Sequence, residues 1–123
     1  LGADFFDNEE RKYLLATLER FTKHFIRADD PDITAELLLC LRYLNFTDLQ
    51  VYRNGLRYLL HSQNQNGTWG NYDHLRDDYY EFVDQGFYLH TTGVALDALI
   101  LAFVFAGDQP SPVTNLIYHE NID

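Results

Sequence analysis

The stretch Gly55-Leu-Arg-Tyr-Leu-Leu-His-Ser-Gln63-Asn-Gln-Asn-Gly67-Thr-Trp69-Gly70 carries the most specific pattern in the chain. It opens inside a helix, because Val51, Tyr52, Leu56, Leu59 and Leu60 share one stripe while Arg53 and Arg57 lie opposite. Thr47 and Gln50 have capping-box spacing, which predicts an amphipathic helix over 48–62. Gln63 falls where that helix ends. A glutamine there can satisfy helix-end groups that have no partner in the ladder, while the indole of Trp69 packs across it.

Working toward the N-terminus, Asp30-Pro31 announces another helix: proline fits the first helical position, and acids around it complement the helix dipole. The predicted span is 31–45. Ile33, Ala35, Leu37, Leu38, Leu39, Cys40, Leu41 and Leu44 leave it little polar surface, so a buried helix is expected. Before it, Asp7 and Glu10 form a second capping-box pattern, and Leu14, Leu18, Phe21 and Phe25 recur at helical spacing. The face with Arg11, Lys12, Glu19, Arg20 and Lys23 is expected in water, giving an amphipathic helix over 7–27.

Toward the C-terminus, Thr91 or Thr92 can cap a helix over 93–106 that stops at Gly107 ahead of Pro110. Its apolar run is broken only by Asp97, so burial is again expected. The order is amphipathic, buried, amphipathic, buried. Such alternation suits layered helical hairpins, with two inner and two outer helices, better than a bundle of equivalent helices. The inner pair even shares a pattern, with Thr34, Ala35, Leu38 and Leu41 against Thr92, Gly93, Leu96 and Leu99. The fold class is therefore all-α, with about four main helices in a single domain over 1–123.

Between the third and fourth helices, residues 63–88 mix Trp69, Tyr72, Tyr79, Tyr80, Phe87 and Tyr88 with many acids and amides. A connection of this length is commonly functional or holds an element of its own, and a helical turn is expected near 77–83. Tyr72, Tyr79, Tyr80 and Phe87 are the candidate ligand-binding residues, able to line an apolar cavity or stack on sugar rings; filling space between helices is the competing role.

Composition narrows the classes. The net charge of −10, from 9 basic and 19 acidic residues, comes without a local basic patch, which argues against nucleic-acid partners and anionic lipid surfaces. The apolar run 94–106 is about half of a bilayer-spanning helix, so no membrane span is expected. No basic-then-apolar leader is present, which favours a soluble, cytoplasmic protein over a secreted one. Asn45-Phe-Thr47 and Asn66-Gly-Thr68 fit the glycosylation pattern and would matter only in a secreted setting. The single Cys40 allows no internal disulfide and, within an apolar run, is expected to be buried and inert. His24, His61, His74, His90 and His119 are scattered without metal-ligand spacing, so no metal or cofactor is expected. The chain opens at Leu1 and contains no methionine, consistent with a piece of a longer protein.

The run from Tyr58 through Gln63 and Gly67 to Trp69 resembles the QW motif of squalene cyclases, plant diterpene cyclases and related prenyltransferase repeats. The stretch 90–99 resembles the inner helix that follows such a motif. This likeness, covering about 30–105, implies an α/α-toroid arrangement of which the chain is a fragment, with Gln63, Gly67 and Trp69 in structural roles. Asp30-Pro-Asp32-Ile-Thr34-Ala35 is similar to the acidic motif of class II terpene cyclases, which implies Asp32 as a proton donor and Asp30 as its companion; Ile33 stands where that motif has a further aspartate. The simpler role for both acids is capping the helix that starts at Pro31. Asp97, a carboxylate in an apolar helix, needs a structural partner or a pocket to face. The expected function is a non-catalytic or incomplete helical-repeat domain binding an isoprenoid, a glycan or a protein. An isoprenoid cyclase or prenyltransferase completed by further repeats or by self-association is the alternative.

Overall fold

A computed structural model describes residues 6–105. The fold is all-helical, with no strand among the described residues. Helix α1 covers Asn8–Arg27, α2 Pro31–Tyr43, α3 Gln50–Ser62, a short α4 Arg76–Phe82, and α5 Leu89–Phe103. A turn of 3-10 helix at Asp73–Leu75 leads into α4, and a π-helical turn at Val83–Tyr88 joins α4 to α5.

The first two helices begin where the sequence places them. The Asp7 carboxylate accepts from the Glu10 amide at 2.8 Å and the Glu10 carboxylate accepts from the Asp7 amide at 3.2 Å, closing the capping box. The Asp30 carboxylate caps α2 through the Ile33 amide at 3.0 Å, and Pro31 occupies the first helical position. Asp29, at φ 55°, makes the sharp turn between them, a left-handed conformation that aspartate tolerates better than most residues.

Other boundaries differ from expectation. α2 stops at Tyr43 because Asn45 turns left-handed at φ 62°, with its amide bonded back to the Arg42 carbonyl. The Thr47–Gln50 capping box does not form; Leu49 is the cap residue without a side-chain bond, and the Gln50 amide reaches forward to Asn54. Neither Thr91 nor Thr92 caps α5, since the helical path already runs through Asp73–Phe103 and both hydroxyls bond other elements. Gly107, Pro110 and His119 lie outside the described residues.

α2 sits at the centre, packed on α1, α3 and most extensively α5. Ala35, Leu38, Leu41, Tyr52, Leu56, Leu59, Trp69, Ala95, Ala98 and Ala102 form the core. Gly55 lets α3 approach closely: a Cβ there would stand 2.5 Å from Leu38 Cδ2. On α1 the buried positions are Leu18 and Thr22, while Phe21 is exposed. Arg11, expected in water, is half-buried, with its guanidinium 4.7 Å from the Phe46 ring centre and bonded to the Leu44 carbonyl at the end of α2.

The expected burial of α5 is corrected most. Only Thr91, Ala95, Ala98 and Ala102 are buried, and they meet α2 along one narrow face. These positions match Thr34, Leu38 and Leu41 of α2 one residue out of step with the sequence likeness, which aligned Gly93 and Leu96, now exposed, with buried residues. Cys40 is likewise exposed rather than buried.

Candidate functional site

The quoted junction is built as a hook. Helix α3 ends at Ser62, and the chain reverses through Gly67, whose φ of 89° is costly for any residue with a Cβ. Trp69 then returns to the core at 2% exposure, and its indole N–H donates to the Leu59 carbonyl at 2.7 Å. Its backbone N–H donates to the Thr92 hydroxyl at 3.1 Å, so one residue ties the end of α3 to the start of α5. The indole, not Gln63, satisfies the helix end. Gln63 leaves the helix in extended conformation and donates to the Gly67 carbonyl at 2.9 Å, holding the loop itself.

Beyond the hook, the aromatics pack on each other. Tyr72 lies 5.5 Å from Phe87 and 5.1 Å from Tyr88, and Phe87 lies 6.1 Å from Tyr79 in an edge-on contact. Tyr79 and Tyr80 are exposed on α4. Arg76 braces the segment by pairing with Asp73 and, through both terminal nitrogens, with Asp84 at 3.0 and 3.2 Å. The Tyr88 hydroxyl donates to Asp73 at 3.0 Å and accepts from the Tyr72 amide. A polar cleft of about 820 Å³ opens beside this brace, lined by Asn64, Asn66, Asp73, Arg76, Tyr88 and Thr92 among others. None of the four candidate ligand-binding aromatics lines it.

The other concentration of chemistry lies where α2 crosses α5. Asp32 stands in the first turn of α2 and Glu36 one turn further, on the same face. The start of α5 brings His90 against both, with Nε2 at 3.2 Å from Asp32 Oδ1 and 3.2 Å from Glu36 Oε1. The Glu36 contact is aligned as a hydrogen bond. Asp32 Oδ1 is buried with no hydrogen-bond partner, since its approach to His90 lacks that alignment. Burial pushes the Asp32 carboxyl above the ordinary carboxylate range; the His90 imidazole opposes this, the Glu36 carboxylate adds to it, and a hydrogen bond from the Thr91 hydroxyl again opposes it. Burial also raises the phenol of Tyr72, whose oxygen is 2.7 Å from that of Thr91.

The candidate acids therefore separate. Asp30 is occupied as a helix cap, and the groups beside Asp32 that carry the local chemistry are Glu36 and His90. Asp97 is exposed on α5, and among the described residues neither a structural partner nor the polar cleft accounts for it. Sequence reasoning missed Glu36 and His90. The four-residue step from Asp32 to Glu36 on an apolar helix was a usable signal, whereas only the fold brings His90 across.

The helical run Asp73–Phe103 is long and apolar enough to cross a membrane by length and composition. Its first part carries Asp73, Arg76, Asp77, Asp78, Glu81 and Asp84, and its second part lays an alanine face on α2.

No curated protein and no solved structure matches the chain. A family model does match, over residues 3–96, which takes in α1 to α4 and the first half of α5. The chain thus belongs to the family described as Domain of unknown function (DUF6895).

Proposed function

We propose that this chain is a non-catalytic helical-repeat domain of α/α-toroid type, and that the outer face of α5 receives a helix from a second copy of the chain. The observation that carries the reading is a seam on that face. Leu89 and Val104, each 67% exposed, and Leu96 and Ile100, at 42% and 43%, recur at helical spacing. Gly93 falls within the seam and leaves open space at its Cβ position, which lets a partner backbone come near. Complete burial of one Val, Leu or Ile side chain contributes about 1.5–3 kcal/mol, so four partly exposed ones supply a substantial drive for association. The charge of −10 opposes pairing of like copies, so rising salt strengthens it by screening.

The test is sedimentation or light scattering across protein concentration and ionic strength. The expected result is a dimer that tightens with salt and dissociates in Leu96→Glu and Ile100→Glu, with helical content retained. A chain that stays monomeric at every concentration overturns the reading.

A second reading, an isoprenoid cyclase- or prenyltransferase-type domain completed by further repeats or by oligomerisation, draws support from the raised Asp32 carboxyl, because a group that donates a strong proton must keep it near neutral pH. Thermal shift against squalene-like and prenyl-diphosphate ligands tests this. Stabilisation that is altered in Asp32→Asn supports it, and no shift with any of them counts against it.

A further inference from the structure

Three ligand atoms meet where α2 crosses α5: a carboxylate oxygen of Asp32, a carboxylate oxygen of Glu36 and a ring nitrogen of His90, all within 4.8 Å of one another. The hydrogen bond from His90 can satisfy only one of the two carboxylates. One imidazole nitrogen carries at most one proton, and that proton can serve only one of the two carboxylates at 3.2 Å. In the observed arrangement Glu36 takes the aligned bond, and the buried Asp32 Oδ1 faces the imidazole without hydrogen-bond alignment, the Thr91 hydroxyl being the other donor beside the Asp32 carboxylate. A carboxylate oxygen shut off from water with only a poorly aligned donor is costly.

We propose that Asp32, Glu36 and His90 bind one divalent first-row transition-metal ion, of which zinc is the representative. A single cation placed among them satisfies all three atoms together. The two separations from His90 Nε2, 3.2 Å each, suit it, because ligands about 2.0–2.2 Å from a zinc ion stand about 3–3.5 Å apart around it. The donor set suits it as well, since imidazole favours ions such as zinc over calcium or magnesium and the carboxylates supply negative charge. Three protein ligands leave at least one coordination position open. With Glu36 and His90 exposed at 47% and 57% of their side chains, that position faces solvent. Two ligands come from α2 and one from α5, so the ion also clamps the two helices that pack most extensively.

This proposal stands apart from the α5 seam, which lies on another face of that helix. It excludes the proton-donor reading, because an ion holds Asp32 as a carboxylate.

The experiment uses the whole chain, stripped with chelator and titrated with Zn²⁺ in a calorimeter, with Co²⁺ absorption as the spectroscopic probe. The expected result is one ion per chain, a visible cobalt band, and a melting temperature that rises with zinc. His90→Gln, Asp32→Asn and Glu36→Gln should each weaken binding at least tenfold and remove the cobalt band, while His61→Gln, on exposed α3 surface, leaves both unchanged. Circular dichroism on each variant separates lost ligation from lost fold. Absence of binding at millimolar zinc, or equal binding in a folded His90→Gln chain, overturns the proposal.

Discussion

Helices α2 and α5 are the two most apolar of the described helices, yet they occupy unlike environments. α2 is enclosed by α1, α3 and α5 and buries Leu38 and Leu41. α5 buries alanines at the matching positions and turns Leu89, Leu96, Ile100 and Val104 outward. Apolar composition fixes that a helix can be buried, but the number of neighbours fixes how much of it is. Small residues mark the face of α5 that is in contact, because alanine lets the backbone come near α2 while the leucines would hold it away. The larger residues then mark the face that the other described helices leave uncovered.

Leucine truncation is the sharpest way to break this comparison. Leu38→Ala removes a side chain only 1% exposed and should lower unfolding free energy by about 2–5 kcal/mol in a denaturant titration. Leu96→Ala on α5, measured at concentrations where the chain is monomeric, should stay within about 0.5 kcal/mol. Equal losses at the two positions would mean that the helices are equally enclosed.

Enlarging the contact face probes the same difference from the other side. Ala98→Leu inserts bulk where α5 meets α2 and should cost about 1–3 kcal/mol, whereas Gly93→Ala on the outer face enters open space and should be neutral to stabilising. A neutral Ala98→Leu would show that the two helices are looser than described.

Removing the hydrogen bond of the hook without its aromatic bulk tests what holds α5 to α3. Trp69→Phe leaves the Leu59 carbonyl without its indole donor and should cost about 1–3 kcal/mol. No change in the denaturation midpoint would mean that the indole bond to Leu59 adds nothing measurable to the joint.

The smallest effect concerns pH. Burial, followed by its hydrogen bond to the Asp29 carboxylate, holds the Tyr58 phenol well above its ordinary value. A group raised in the fold contributes fully below its unfolded pKa of about 10 and loses that contribution as pH rises above it. Melting temperatures of the native chain and Tyr58→Phe should therefore differ at pH 8 and converge toward pH 11. A gap that widens with pH would reverse the assignment.

How much of this was legible depended on how local the cause was. The starts of α1 and α2 were readable because Asp7, Glu10, Asp30 and Pro31 act within one turn of the residues they cap. The start of α3 was not, because Thr47 and Gln50 have the right spacing while the chain there already follows the turn at Asn45. The path into α5 was hidden for a longer-range reason. Arg76 gathers Asp73 and Asp84 across the kink at Tyr79, and the wide turn at Val83–Tyr88 joins α4 to α5. Burial on α5 could not be read from its own letters, since its neighbours decide it. For the candidate site, Asp32 stood out as an acid at the head of an apolar helix, but its meeting with His90 is a product of helix crossing that no local pattern encodes.

Trp69 is the only tryptophan in the chain. Its ring is sealed from water and its two N–H groups bond to α3 and α5, so tryptophan emission, excited beyond the tyrosine absorption band, originates at one known joint. Fluorescence wavelength and quenching by iodide consequently report the seating of α5, without any label, while circular dichroism reports the helices as a whole. Comparing the two signals during unfolding distinguishes undocking of α5 from loss of helix.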